Sequence, residues 1–218
     1  MTLFDAIILG IIQGITEFLP ISSSGHLVLG QALLGVDSPG NVVEVVTHLG
    51  TLLSVIWVFW KDLSSILISF HNQDTQKYIL FLIMGTLPAV IIGLAARDMI
   101  TDLFDSIPMV AGSLIFTGII LLLTQKLNRK NKQLNLKKGL LIGLTQAFAM
   151  IPGISRSGMT ISTGLALGLS GKDAAKFSFL LAIPVIAGAG LLTVLDTQPG
   201  RFSIPMLQFL DRKSTRLN

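Results

Sequence analysis

The sequence predicts an all-α polytopic membrane protein: an inverted-topology repeat with two re-entrant helical hairpins, C-terminally truncated within its second copy. Three observations predict it. The chain is 51% hydrophobic and only 13% charged, whereas a soluble domain carries about 25% charged residues, so lipid is the solvent this composition suits. Residues 42–60, 78–96, 107–124 and 177–195 form apolar segments with few charges, each close to the roughly 20 residues that cross a bilayer at about 1.5 Å per residue. Finally, a pair of short apolar arms around a polar, glycine-bearing break occurs twice, 133 positions apart.

The same composition excludes other classes. Sixteen Lys and Arg against twelve Asp and Glu give a formal charge of +4. The basic residues are bunched in one short loop, which is how a membrane protein marks its cytoplasmic side, so no nucleic-acid partner is expected. Cysteine is absent, which removes disulfides and thiolate metal sites. Asp5 stands where a signal peptide would carry a basic residue, and further apolar spans follow, so no cleaved leader is expected.

Taken in chain order, the first element is a hairpin: an arm over 3–19, a break at Pro20-Ile21-Ser22-Ser23-Ser24-Gly25-His26, and a second arm over 27–34. The span 42–60 follows, with Trp57 and Trp60 at its end as interfacial anchors; Tyr78 opens the next span in the same way. Pro88 and Pro184 are expected to kink their spans. The loop after the span 107–124 carries Lys126, Arg129, Lys130, Lys132, Lys137 and Lys138 with no acid, which places it in the cytoplasm. Counting back, 97–106 with Asp98, Asp102 and Asp105 lies outside and 61–77 inside. The second hairpin occupies 140–169 around Pro152-Gly153-Ile154-Ser155-Arg156-Ser157-Gly158. Each arm is about 12 residues, too short to span, and broken backbone at membrane depth is tolerated where protein or a wet cavity surrounds it.

The shift of 133 superimposes Gly10 on Gly143, Gln13 on Gln146, Ile21 on Ile154, Ser22 on Ser155, Ser24 on Ser157 and Gly25 on Gly158, with Leu29 over Ser162 as a mismatch. An odd number of spans separates the copies, so they are inverted, and two inverted hairpins meeting tip to tip would build one central site. The organisation expected is one transmembrane domain over 1–210, with repeat 1 about 1–125 and an incomplete repeat 2 about 134–210. The natural protein is expected to continue past Leu210. Residues 211–218, Asp-Arg-Lys-Ser-Thr-Arg-Leu-Asn, resemble the in-frame translation of a sequencing adapter and are set aside as a non-native tail.

Several residues in the breaks could carry chemistry. Glu17 lies one helical turn after Gln13, on the same face, and an ionisable residue inside a span ordinarily marks function. Ser22, Ser23, Ser24, Gly25 and His26 supply hydroxyls, a flexible backbone whose N–H groups can converge on an anion, and an imidazole able to act as base or nucleophile. The bland alternative is a hydroxyl-rich helix cap beside a satisfied histidine. Arg156, flanked by Ser155 and Ser157 and followed by Gly158, brings a guanidinium whose fork matches two phosphate oxygens. Its alternative is a structural pair with Glu17. Helix N–H groups starting at Thr160 would add to such a site. Glu44 and His48, four apart, either support the same cavity or form an ordinary helix-surface pair, and Met150 holds the repeat position of Glu17, so the copies contribute unequally. Carboxylate, imidazole, arginine and serines make a phosphoryl-transfer set, in which a divalent cation, Mg²⁺ or Ca²⁺, would be held through Glu17. No nucleotide-binding loop of the G-x-x-x-x-G-K-[ST] type is present, which points to a lipid-borne phosphate.

Those two motifs, Glu17 to His26 and Pro152 to Gly158, closely resemble the bacterial undecaprenyl-diphosphate phosphatase family of the bacitracin-resistance type, over essentially the whole chain to Leu210. The resemblance implies a multi-pass inner-membrane enzyme, its site toward the outer face, that hydrolyses undecaprenyl diphosphate to the monophosphate and so recycles the carrier for peptidoglycan synthesis. It implies a polyprenyl diphosphate lipid as partner, within membrane lipid, and leaves a homodimer open. By position, Glu17 resembles the family's second motif carboxylate, His26 its catalytic histidine and Arg156 its phosphate-binding arginine; the five serines resemble the surrounding hydroxyl ligands. Gln13 stands where some members have a first glutamate, and an amide cannot serve as a base. The rival reading is a lipid-phosphate transporter or flippase, because inverted repeats with broken helices are also the signature of transporters.

Overall fold

The computed structural model describes residues 1–36, 42–127 and 132–196. Arg129 and Lys130 of the basic loop, the apolar run 202–210 and the tail 211–218 lie outside the described residues.

The described chain is all α-helical: α1 (Leu3–Thr16), α2 (Ser23–Leu34), α3 (Val42–Val58), α4 (Trp60–Ile68), α5 (Gln73–Ala95), α6 (Arg97–Leu103), α7 (Ile107–Thr124), α8 (Leu136–Phe148), α9 (Arg156–Ala166) and α10 (Gly171–Asp196). Three of them, α5, α7 and most of α10, are long and apolar enough to cross a membrane. The expected span 42–60 is not straight: α3 and α4 meet at Phe59 with a bend of 66°. Residues 97–106, expected as a loop, hold the short helix α6. Large apolar side chains cover the outside, among them Ile7, Ile11 and Ile15 on α1, Trp57 on α3 and Ile68 on α4. In water such a surface would drive aggregation; in lipid it is the natural exterior. The protein is a helical, multi-pass membrane protein.

Capping explains the helix starts nearest the site. Ser22, with φ 72°, accepts from the Gly25 N–H at 3.3 Å and starts α2. Ser155 accepts from the Gly158 N–H at 3.0 Å and starts α9. A positive φ is costly for a serine, and here the Ser22 carbonyl is held by the His26 backbone N–H at 3.2 Å and by His26 Nδ1 at 2.7 Å. Paired arms pack on one another, α1 on α2 and α8 on α9.

The tightest interhelical contact is α5 against α8. A Cβ added to Gly143 would lie 2.6 Å from Gly85 Cα, and one added to Gly139 would lie 3.1 Å from the Phe81 carbonyl oxygen, so these backbones touch as small residues allow. Below that contact Ile142, Leu169, Ala174, Phe177 and Leu181 form a buried cluster backed by Tyr78 and Phe81. Smaller clusters seat α1 on α2 and α3, through Leu9, Leu27 and Val43, and α3 on α10, through Leu52, Ala182 and Ile186. An ion pair between Asp62 and Lys176 ties α4 to α10. Thus α3, α5, α7 and α10 brace the four short arms whose breaks carry the polar residues.

Candidate functional site

The two breaks meet. Ser24 Oγ accepts from the Gly153 N–H at 3.4 Å. A Cβ on Gly25 would stand 2.9 Å from Gly153 Cα, and one on Gly158 would stand 2.8 Å from the Pro20 carbonyl oxygen. Larger residues at these glycines would push the loops apart. Gly153 itself has φ 90°, a conformation natural to glycine, and lies against Val110 and Ser113 of α7.

At this junction Glu17, the C-cap residue of α1, is 4% exposed and fully engaged. Its Oε1 accepts from Arg156 Nη2 in a close ion pair. Its Oε2 accepts from Ser23 Oγ at 2.6 Å and Gln13 Nε2 at 3.0 Å, and faces His48 Nε2 at 3.2 Å. A buried carboxylate is tolerable only with such partners. Arg156 Nη1, in contrast, is buried and has no hydrogen-bond partner among the described residues. The guanidinium thus has one nitrogen spent on Glu17 and one open to another acceptor.

Glu17, Arg156 and His48 line a cavity of about 170 Å³ with Ser22, Ser23, Ser24, Ser155, Ser157, Glu44 and Gln146. A second cavity, about 350 Å³ and mostly apolar, shares Val45, Met150, Val185 and Ala189 with it and runs between α5, α6 and α10. Among the described residues Glu44 Oε2 and Gln146 Oε1 are also buried without a partner, while Glu44 Oε1 accepts from Gln31 Nε2 at 2.7 Å.

The sequence-derived candidates divide by placement. Glu17, Arg156 and all five serines come together at the cavity. Gln13 is buried outside its lining, where it donates to Glu17 and, at 3.2 Å, to Thr51 Oγ1; it orients the carboxylate. Gly25 and Gly158 spend their N–H groups on the capping serines, and their place is the contact between loops. His26 also lies outside the lining, with its Nδ1 on the Ser22 carbonyl. The imidazole in the cavity belongs to His48. The helix after the second break begins at Arg156, ahead of the expected Thr160; the Thr160 hydroxyl instead pairs with Ser178 Oγ at 2.6 Å. Sequence reading missed Thr117 of α7, which donates to the Gly153 carbonyl at 3.0 Å and accepts from the Ser155 N–H at 3.0 Å, fixing the loop that presents Arg156. A lone threonine in an apolar span gives no sign of this, because Thr86 of α5 stands in the same kind of setting and bonds to its own helix, donating to the Leu82 carbonyl at 2.8 Å.

An all-helical multi-pass membrane protein, with a charged and hydroxyl-rich cavity closed between two broken arms, is the class that fold and site define. Within it, residues 6–210 match the family described as bacitracin resistance protein BacA. The undecaprenyl-diphosphatase of Halothermothrix orenii is 44% identical over 199 residues, covering 90% of this chain and 76% of that protein. That of Alteromonas mediterranea is 45% identical, covering 90% and 77%, and that of Thermodesulfovibrio yellowstonii 46% identical, covering 87% and 73%. The chain belongs to the bacitracin resistance protein BacA family.

Proposed function

We propose that this protein hydrolyses undecaprenyl diphosphate to undecaprenyl phosphate and inorganic phosphate, returning the lipid carrier to peptidoglycan synthesis. Family membership gives the reaction, and one observation carries it to named residues: Arg156 meets Glu17 in a buried, serine-lined cavity with its second guanidinium nitrogen unclaimed. A buried guanidinium nitrogen with an open donor calls for an anion, and a phosphate matches the fork. Helices α2 and α9 both begin at this cavity, at Ser23 and Arg156, so both positive dipole ends favour negative charge there.

In this reading the diphosphate head enters the polar cavity, while the apolar cavity beside it leads the prenyl tail toward lipid. Arg156 and the serine hydroxyls stabilise charge on the transferred phosphoryl group, the main contribution in this chemistry. Glu17 holds Arg156 and Ser23 in place. His26, expected to attack phosphorus or to accept a proton, has contacts that support a holding role: it fixes the strained Ser22 carbonyl at the rim of the loop.

A divalent cation, Mg²⁺ or Ca²⁺, belongs to the proposal. Among the described residues no three His, Asp or Glu converge as a ready-made cage, which suits an ion completed by substrate phosphates. At Glu17 it would have to displace Arg156 or the Ser23, Gln13 and His48 contacts. The unpartnered oxygens of Glu44 and Gln146 in the cavity wall each offer a hard ion an open ligand without displacing an existing contact, and either residue would hold it. Bound there, it would supply neutralisation of diphosphate charge.

The topology proposed is the inverted repeat with two re-entrant hairpins, in the bacterial inner membrane and with the site toward the outer face. Its support is the exchange of equivalent contacts between the copies: Gly25 packs on Gly153 as Gly158 packs on Pro20, and Ser22 and Ser155 cap alike. Transporters share such architecture, so the test separates the two. Purified protein in detergent, given a polyprenyl diphosphate, is expected to release inorganic phosphate; intact lipid moved across liposomes without phosphate release would establish the flippase instead.

A further inference from the structure

We infer that His48 is a positioning residue for this hydrolysis, clamping Glu17 and Ser23 from α3. The inference rests on the hydrolase reading and adds a residue that neither broken motif contains. His48 lies one turn after Glu44, and its Nδ1 is 2.6 Å from the Glu44 backbone carbonyl. A carbonyl only accepts, so that nitrogen donates and the ring's orientation is set by its own helix. The opposite nitrogen then points into the cavity, 3.2 Å from Glu17 Oε2 and 3.3 Å from Ser23 Oγ. Against a carboxylate oxygen it acts as a donor, so both ring nitrogens carry a proton and the clamp is an imidazolium.

One ring therefore joins three elements: the body of α3, the end of α1 at Glu17 and the first turn of α2 at Ser23. Without it, Glu17 keeps Gln13 and Arg156 on the α1 and α9 sides but loses its support from α3. Ser23 Oγ keeps a single side-chain partner, Glu17 itself. Both groups face the space assigned to the terminal phosphate, and misplacement there by about 1 Å can cost on the order of 100-fold in rate. Binding depends chiefly on the Arg156 guanidinium and the backbone N–H groups of the helix starts, whereas His48 bonds to the side chains of Glu17 and Ser23. The predicted signature is therefore a loss in kcat with KM little changed.

The test uses the full chain purified in detergent, with a polyprenyl diphosphate as substrate, inorganic phosphate release as readout, and the variants His48→Ala, His48→Phe and His48→Gln. His48→Ala and His48→Phe are expected to lower kcat by about 10- to 100-fold, with KM within about threefold. His48→Gln, which restores an N–H donor at similar reach, is expected to recover most of the loss. If His48→Ala does not fold, the Phe and Gln variants decide: the ring shape without a donor must fail where the donor without a ring succeeds. A kcat within threefold of the unsubstituted protein in His48→Phe, or equal loss in the Gln and Phe variants, would overturn the clamp while leaving the hydrolase standing. Absence of phosphate release from the unsubstituted protein would strike the hydrolase reading before any variant is compared.

Discussion

Replacing Glu17 by glutamine keeps the length of the side chain and one acceptor oxygen but removes the charge that Arg156, Ser23, Gln13 and His48 converge upon. Replacing Arg156 by glutamine removes the other half of the pair. Deleting one partner of a buried ion pair costs about 3–5 kcal/mol, because the remaining charge is left in a low-dielectric site. The contacts rank the two changes. Glu17 without Arg156 still has the donors of Ser23, Gln13 and His48, so Arg156→Gln should fall near the lower end, about 3 kcal/mol. Arg156 beside the neutral amide keeps at most one uncharged acceptor for Nη2, while Nη1 already lacks a partner, so Glu17→Gln should fall near about 5 kcal/mol. Removing both charges together should cost less than the sum by about 2 kcal/mol or more. Reversible unfolding of the four proteins in mixed micelles supplies the cycle. Additivity within about 0.5 kcal/mol would mean the two groups do not interact, and the site as described would not exist.

Further expected outcomes follow from single contacts. Gly143→Ala sets a Cβ 2.6 Å from Gly85 Cα and 2.7 Å from its carbonyl carbon; backbone cannot turn aside, so thermal melting should register about 3 kcal/mol of destabilisation. Gly118→Ala, with nothing within 4 Å of the new atom, should be neutral or slightly stabilising by the same measurement. Thr117→Val keeps volume but strips the hydroxyl from the Gly153 carbonyl and the Ser155 N–H; phosphate release should slow about tenfold or more as Arg156 loses its fixed seat. His26→Ala should slow turnover without abolishing substrate binding, and trapping a phosphohistidine on His26 would return that residue to the attack. Chelation should suppress phosphate release, and Glu44→Gln should weaken Mn²⁺ binding, read by calorimetry, on the order of tenfold.

Much of the fold was legible because lipid demands long apolar runs. The segment 107–124 coincides with α7, and 78–96 starts five residues after α5 does and ends one residue beyond it. The kink at Phe59 was not legible: Lys61 and Asp62 read as the end of the span although they belong to the first turn of α4, and the turn carries no side-chain cap. Helix α6 was hidden for the opposite reason, since its acids read as a loop. At the site, repetition made Ser22, Ser155, Gly25 and Gly158 visible, though they prove to be caps and loop contacts as well as cavity wall. The Glu17 and Arg156 pair was open to inference because each is a charge that cannot stay alone in the membrane. The choice between imidazoles was not. His26 belongs to the motif, but its neighbour in sequence, the Ser22 carbonyl, captures it. His48 reaches the cavity only because α3 crosses the end of α1, a tertiary fact without a local signature.

The account stands on Arg156 carrying a free guanidinium nitrogen into a serine-lined cavity to meet phosphate. Phosphate release from a polyprenyl diphosphate by the unsubstituted protein, Arg156→Lys and Arg156→Ala tests it most directly. The predicted result is a fall in kcat/KM of about 100- to 1,000-fold for Arg156→Ala, with only partial recovery in Arg156→Lys, which keeps the charge and loses the fork. Folded Arg156→Ala protein that turns over within threefold of the unsubstituted rate would contradict it.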